Sequence, residues 1–177
     1  MRVLGVSGSL RAGSHNTKLL RAAAGLLPPE CELELFDGLK AIPAYDADDE
    51  RPPAVAALFE AIAGADAVLV ATPEYNHSLP GQLKNALDWL SRPLAGSPLR
   101  DKPVAVVGAS TGLFGAVWAQ AEARKVLAAI GARVLDRELP VALADDAFAA
   151  DGSLADDDRS RALAGILAEL AAELVAV

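Results

Sequence analysis

Two stretches of this chain gather hydroxyl, amide, cationic and aromatic side chains closely enough to do chemistry. The first is Ser9-Leu10-Arg11-Ala12-Gly13-Ser14-His15-Asn16-Thr17 and the second is Pro73-Glu74-Tyr75-Asn76-His77-Ser78-Leu79-Pro80-Gly81. In the first, Ser9, Ser14, Asn16 and Thr17 are neutral donors, and Arg11 adds a planar, charge-assisted fork suited to phosphate. A helix starting near Asn16 adds backbone N–H groups and the positive end of its dipole, which bind anions. Ser14 or Asn16 also suits a helix cap, but capping leaves Arg11 and the second serine unexplained. In the second stretch, two prolines and a glycine fix an irregular backbone that turns N–H and C=O groups outward. The edge of a flat polar ring needs such in-plane donors and acceptors. Tyr75 can stack on or roof that ring, and Asn76 can hydrogen-bond to it. Together the two stretches suit a phosphorylated aromatic cofactor, and flavin mononucleotide (FMN) fits best.

A third stretch, Ser110-Thr111-Gly112-Leu113-Phe114-Gly115, carries small residues that let backbone approach a flat ligand closely. It gains weight only if the other two loops meet it. Neither a Walker loop nor the spaced-glycine dinucleotide fingerprint is present. His77 is given no role, and the chemistry of Glu74 is not legible. Trp89 reads as core or subunit interface, Phe114 and Trp118 as pocket lining or interface, and Cys31 as a small buried side chain.

Five apolar, β-branched runs alternate with five helical patterns, the sequence form of a βαβ protein. The runs are Val3–Val6, Cys31–Phe36, Ala67–Ala71, Val104–Val107 and the weaker Arg133–Leu135. Alternation of Cys31, Leu33 and Leu35 with Glu32 and Glu34 predicts an edge strand. The third and fourth runs lack alternation, as strands buried on both faces do. Helices are expected near Asn16 to Leu27, from Pro52-Pro53 to Gly64, after Pro80-Gly81, up to Ile130 with Gly131 as left-handed cap, and from Asp156–Asp158 onward. The last carries Leu163, Ile166, Leu167, Leu170 and Leu174 as its buried stripe. Residues 37–51 and 92–102 read as irregular loops. Right-handed crossovers favour a five-stranded parallel sheet of order 2-1-3-4-5, a flavodoxin-like three-layer α/β sandwich. In that order the three chemistry-bearing loops share one edge of the sheet.

The 177 residues suit a single domain spanning 1–177. A hydrophobic fraction of 53% excludes a disordered chain, and a net charge of −8 argues against nucleic-acid binding and anionic membranes. One cysteine allows no internal disulfide, and no cysteine–histidine metal spacing occurs. The first apolar run is too short for a signal peptide, and Glu169 and Glu173 interrupt the apolar C-terminal region, so a soluble cytoplasmic protein is expected.

Gly8-Ser9-Leu10-Arg11 with Ser14 and Asn16, then Pro73-Glu74-Tyr75-Asn76 with Ser78, Pro80 and Gly81, then Leu83-Lys84-Asn85-Ala86-Leu87-Asp88-Trp89, resemble the NADPH-dependent FMN reductase family, which includes chromate and quinone reductases and related azoreductases. The likeness runs from Met1 to about Ile130. It implies that Ser9, Arg11, Ser14 and Asn16 hold the FMN phosphate, that Pro73 to Asn76 bind the isoalloxazine region, and that Ser110 contacts flavin. The cofactor-binding set expected on this basis is Ser9, Leu10, Arg11, Ser14, His15 and Asn16, then Pro73, Glu74, Tyr75 and Asn76, then Ser110, Thr111 and Gly112. No side-chain nucleophile or metal is expected. The resemblance also implies a homodimer or homotetramer, with Trp89 and its helix at an interface.

One departure stands out. Many members begin their fourth helix with Gly-Gly-x-Arg-Ala-Gln, whereas this chain reads Gly115-Ala116-Val117-Trp118-Ala119-Gln120. The implied activity is ping-pong electron transfer from NADPH or NADH through FMN to a small oxidant such as a quinone, azo compound, metal oxyanion or free flavin. A flavodoxin-type electron carrier and a redox-inactive flavin-binding protein are the alternatives.

Overall fold

The computed structural model describes residues 1–173, and its sheet follows from where the apolar runs fall. Strands β1 (Arg2–Ser7), β2 (Glu32–Phe36), β3 (Ala67–Thr72), β4 (Pro103–Ala109) and β5 (Arg133–Val134) lie in the order β2-β1-β3-β4-β5, all parallel. Every residue of β3 and β4 is buried, as the missing alternation predicts, while β2 alternates at the edge. A sixth strand, β6 (Pro140–Val141), was not expected from the sequence. It pairs parallel with the far end of β4, at Gly108 and Ala109.

Five helices cover the sheet: α1 (His15–Ala24), α2 (Pro53–Gly64), α3 (Gly81–Leu90), α4 (Val117–Ile130) and α5 (Asp157–Ala172). Because strand side chains alternate between faces, Val68 and Val70 of β3 face the layer formed by α2, α3 and α4. Ala67, Leu69 and Ala71 face α1 and α5 on the other side. The stripe on α5 is Leu163, Ile166, Leu167 and Leu170, all buried, and Asp156 caps the helix through the N–H groups of Asp158 and Arg159. Leu174, also assigned to that stripe, lies outside the described residues. Gly131 closes α4 at φ +102°, the left-handed cap expected.

Three expectations need correction. Residues 37–51 are not structureless: Gly38–Ala41 form a 3-10 turn, and Leu39 and Ile42 enter the core. One face of α3 holds this segment. Gln82 Nε2 donates to the carbonyls of Leu39 and Ile42, while Asn85 Nδ2 and Trp89 Nε1 both donate to that of Pro43. Trp89 is therefore core, 5% exposed and edge-on to Tyr45, and is not available to a subunit interface. Cys31 precedes β2 and is only partly buried. Among the described residues, no helix is long and apolar enough to cross a membrane, and no group of three His, Cys, Asp or Glu side chains could hold a metal.

Candidate functional site

Parallel strands direct their carboxyl ends to one edge, so the segments after β1, β3 and β4 emerge side by side. What makes a cleft of them is a set of polar side chains that bridge distant segments. In the first segment Ser14 is the N-cap of α1, its Oγ accepting from Thr17 N at 3.2 Å. Thr17 Oγ1 in turn donates to Ser7 Oγ at 3.1 Å, so the threonine hydroxyl is already engaged. Asn16 is 2% exposed and makes two bonds to one residue: Nδ2 donates to Ala109 O at 3.0 Å, and Ala109 N donates to Oδ1 at 2.9 Å. That pair joins the first segment to the end of β4. The amide of Asn16 is thus structural, and what Asn16 offers a ligand is its backbone.

The second segment turns on Asn76 and His77, at φ +54° and +59°. Tyr75 and Ser78 bond reciprocally at 3.1 Å across them, which makes a hairpin turn with two left-handed central residues. Asparagine tolerates that conformation, and the histidine is held in it by the ladder on either side. The role of Glu74 is now legible. Ala116, at φ +63°, precedes α4 without a capping side chain, and Glu74 Oε2 accepts instead from Trp118 N and Ala119 N at 3.1 and 3.2 Å. A carboxylate at that terminus also meets the favourable end of the helix dipole. Ser78 Oγ donates to Glu122 Oε2 at 2.5 Å, a second link to α4.

The third segment is held from beneath. Gly115 sits at φ +57°, and a Cβ there would lie 2.5 Å from Pro140 C and 2.7 Å from Val141 N, so backbone packs directly on backbone. Gln120, fully buried, donates to Gly115 O and accepts from Leu139 N. Ser110 N donates to Val141 O, and Ala144 N and Leu143 N donate to Ser110 O and Gly112 O. The unexpected β6 and the residues after it therefore support this loop.

A shallow cleft of roughly 90 Å³ results. Ser9, Arg11, Ser14, His15 and Asn16 form one wall, with Pro73, Glu74, Tyr75, Ser110 and Thr111 opposite. Three of the expected residues fall elsewhere. Leu10 lines the two neighbouring clefts, Asn76 is exposed at the tip of its turn, and Gly112 lies behind Ser110, donating to its Oγ. Phe114, Trp118 and His77 make an exposed chain of edge-on rings, with centroids 4.9 and 4.7 Å apart, on the rim beside Tyr75.

The chemistry of the donor wall is one-sided. Among the described residues, the N–H groups of Leu10, Arg11, Ala12, Gly13, His15 and Asn16 have no acceptor, and Arg11 has no ion-pair partner. His15 Nε2 pairs with Asp145 Oδ1 at 3.0 Å and its ring stacks on Phe148, yet its Nδ1 is buried without a partner. Unpaired backbone N–H groups, a helix N-terminus and a guanidinium fit a phosphate dianion. The residues present therefore fit the phosphate of FMN, with the unpaired backbone of Glu74 and Thr111 available to its ring. Sequence reasoning missed Asp145, Glu122, Gln120 and β6, all of which act at a distance.

The model of the NADPH-dependent FMN reductase family matches residues 1–146. An NAD(P)H-dependent FMN reductase of Pseudomonas aeruginosa is 47% identical over 161 residues, which is 89% of this chain and 86% of that one. A quinone reductase of Escherichia coli is 40% identical over 141 residues, 77% of this chain and 74% of its own length. Among solved structures, the flavoenzyme FerB of Paracoccus denitrificans, an NAD(P)H:acceptor oxidoreductase, superposes with a TM-score of 0.85 at 35% identity, over 98% of this chain and 97% of that one.

Proposed function

The chain belongs to the NADPH-dependent FMN reductase family, and we propose that the cleft between its three loops is where FMN binds. It is an FMN-dependent NAD(P)H oxidoreductase acting on quinone-like acceptors. FMN bound in the cleft supplies the two-electron chemistry between nicotinamide and acceptor.

The observation that carries the placement is the unpaired donor wall. Arg11 and the N–H groups of residues 10–13, 15 and 16 hold the phosphate. Asp145 pairs with His15 Nε2 and fixes the orientation of the ring that flanks this wall. Tyr75, 52% exposed, shields one side of the ring site, and Glu74 and Thr111 present unpaired backbone groups to its edge. The side chains of Asn16, Glu74 and Glu122 fix the distances between the loops rather than touch the ligand.

The same proposal takes the whole chain as one FMN-binding domain, in the cytoplasm, working as a homodimer or homotetramer. The rim favours assembly: Leu113, Phe114, Leu143 and Trp118 are 73%, 61%, 52% and 40% exposed, an apolar patch suited to a second copy. Trp118 stands where many relatives carry arginine, so this rim meets substrate with an aromatic face instead of a charge. Quinones are the acceptors best matched to that face; azo compounds, metal oxyanions and free flavin are the other small oxidants to assay.

An absorbance scan of the purified protein, repeated after anaerobic addition of NADPH or NADH, tests the reading. Flavin bands that bleach with nicotinamide and return with a quinone are expected. A protein that neither carries nor takes up FMN overturns it.

A further inference from the structure

We propose that a second cleft, on the other side of Arg11, receives the phosphate-bearing adenosine end of NADPH and sets the preference for NADPH over NADH. The inference rests on the reductase reading above. The cleft measures roughly 330 Å³ and lies between residues 9–12, α1 and the segment 35–40.

Its charge is unlike that of the rest of the molecule. Arg11, Arg21 and Lys40 line it against a single carboxylate, Asp37. None of the three cations makes an ion pair or a side-chain hydrogen bond among the described residues. In a chain of net charge −8, Arg21 and Lys40, beside the Arg11 that serves the FMN phosphate, make a local positive field suited to a polyanion. Arg21 follows Thr17 by one helical turn, so both project from the same face of α1 into the cleft.

The site is built as well as charged. Gln82 Nε2 holds the carbonyls of Leu39 and Ile42, on either side of Lys40, each at 2.8 Å. Phe36 lies against Gly38, where a Cβ would come within 2.6 Å of the ring tip. Leu35, Phe36 and Leu39 thus give the cleft a fixed apolar wall, suited to the face of a purine, beside the cations suited to its phosphates.

A third cleft of roughly 340 Å³ makes the connection. It shares Arg11 and Tyr75 with the three-loop cleft, and Leu10 and Arg11 with the cation-lined one. Through those shared residues the three adjoin, and the second and third are each within the usual size of a small-molecule site. A dinucleotide with its nicotinamide beside Tyr75 runs past Leu10 to reach Arg21 and Lys40. NADH follows the same course, but its 2′-hydroxyl gives those cations nothing to neutralise.

The test uses FMN-loaded protein and two probes, adenosine 2′,5′-bisphosphate and adenosine 5′-monophosphate, titrated calorimetrically into wild type, R21A, K40A and R21A/K40A. Steady-state kcat/KM is measured with NADPH and with NADH. Wild type is expected to bind the bisphosphate more tightly than the monophosphate. Each substitution should weaken the bisphosphate and lower kcat/KM for NADPH about tenfold, as for loss of a charge-assisted contact, and leave the NADH value unchanged. R21K/K40R, which keeps both charges, should retain the preference. Equal affinity for the two probes in wild type, or an unchanged NADPH-to-NADH ratio in R21A/K40A, overturns the proposal. A wild-type protein that oxidises neither nucleotide refutes the reductase reading instead, and the two probes still decide whether the cleft distinguishes a 2′-phosphate.

Discussion

Replacing Asn16 with alanine isolates the joint between the first and third loops. Its side chain is 2% exposed and engages both polar groups of Ala109, at 2.9 and 3.0 Å. Truncation leaves the Ala109 N–H and C=O buried without partners. An unsatisfied buried group costs about 1–3 kcal/mol, so N16A should cost the apoprotein about 4 kcal/mol. For a domain of this size that is a fall in Tm of about 8–16 °C. Thermal and urea unfolding of FMN-free protein, followed by circular dichroism, measures it directly. S14A is the companion variant, since it removes only the α1 cap and should cost about 1 kcal/mol. N16D keeps an acceptor for Ala109 N but sets a carboxylate against Ala109 O, so it should not rescue. Added FMN should restore part of the loss, because a ligand selective for the folded state adds stability by mass action. An N16A cost no larger than that of S14A would refute the reasoning, for Asn16 would then be dispensable to the joint.

Arg11→Ala should weaken FMN about tenfold or more by loss of a charge-assisted contact, with no change in apoprotein unfolding, because Arg11 is exposed and unpartnered; quenching of FMN fluorescence on titration reads it. Glu74→Gln should cost about 1 kcal/mol through loss of a charged acceptor at the α4 terminus. Chemical unfolding of apoprotein checks this, and an unchanged midpoint contradicts it. Two backbone bonds hold the Asp156 carboxyl below its ordinary value of 3.8. Its capping contribution is therefore present in full above that value and lost as pH falls through the depressed one. The Tm difference between wild type and D156A should be constant through neutral pH and vanish at the acid end of that range.

How far the molecule could be read beforehand depended on the range of each interaction. Strand alternation and helical stripes are local, so β2, β3, β4 and the faces of α1, α2 and α5 were legible, as was the order of the sheet once crossover handedness was applied. β6 was not, because two residues led by a proline at a sheet edge leave no periodic trace. The 3-10 turn in residues 38–41 was hidden by the acidic residues around it, although Leu39 and Ile42 are the apolar pair that bury. At the site, loop composition pointed to three segments that the sheet brings to one edge. It misjudged how Asn16, Asn76 and Glu74 serve, since an amide or carboxylate beside a ligand loop looks the same whether it binds or braces. Gln120 did leave a signal: a polar residue on the stripe shared by Ala119, Ala123 and Leu127 must find a buried partner. Glu122 and Asp145 left none, each resembling ordinary surface charge.

The braces themselves have a bearing on how the protein comes into being. Asn16 meets Ala109 across 93 residues, Glu74 meets Trp118 across 44, and Glu122 meets Ser78 across the same span. Contacts so far apart along the chain form after local helices and adjacent strands, because loop closure must come first. With FMN in the proposed cleft, a nascent chain that has just released its first loop from the ribosome owns the donor wall and still has no cleft. Cofactor capture is therefore expected only once α4 has docked.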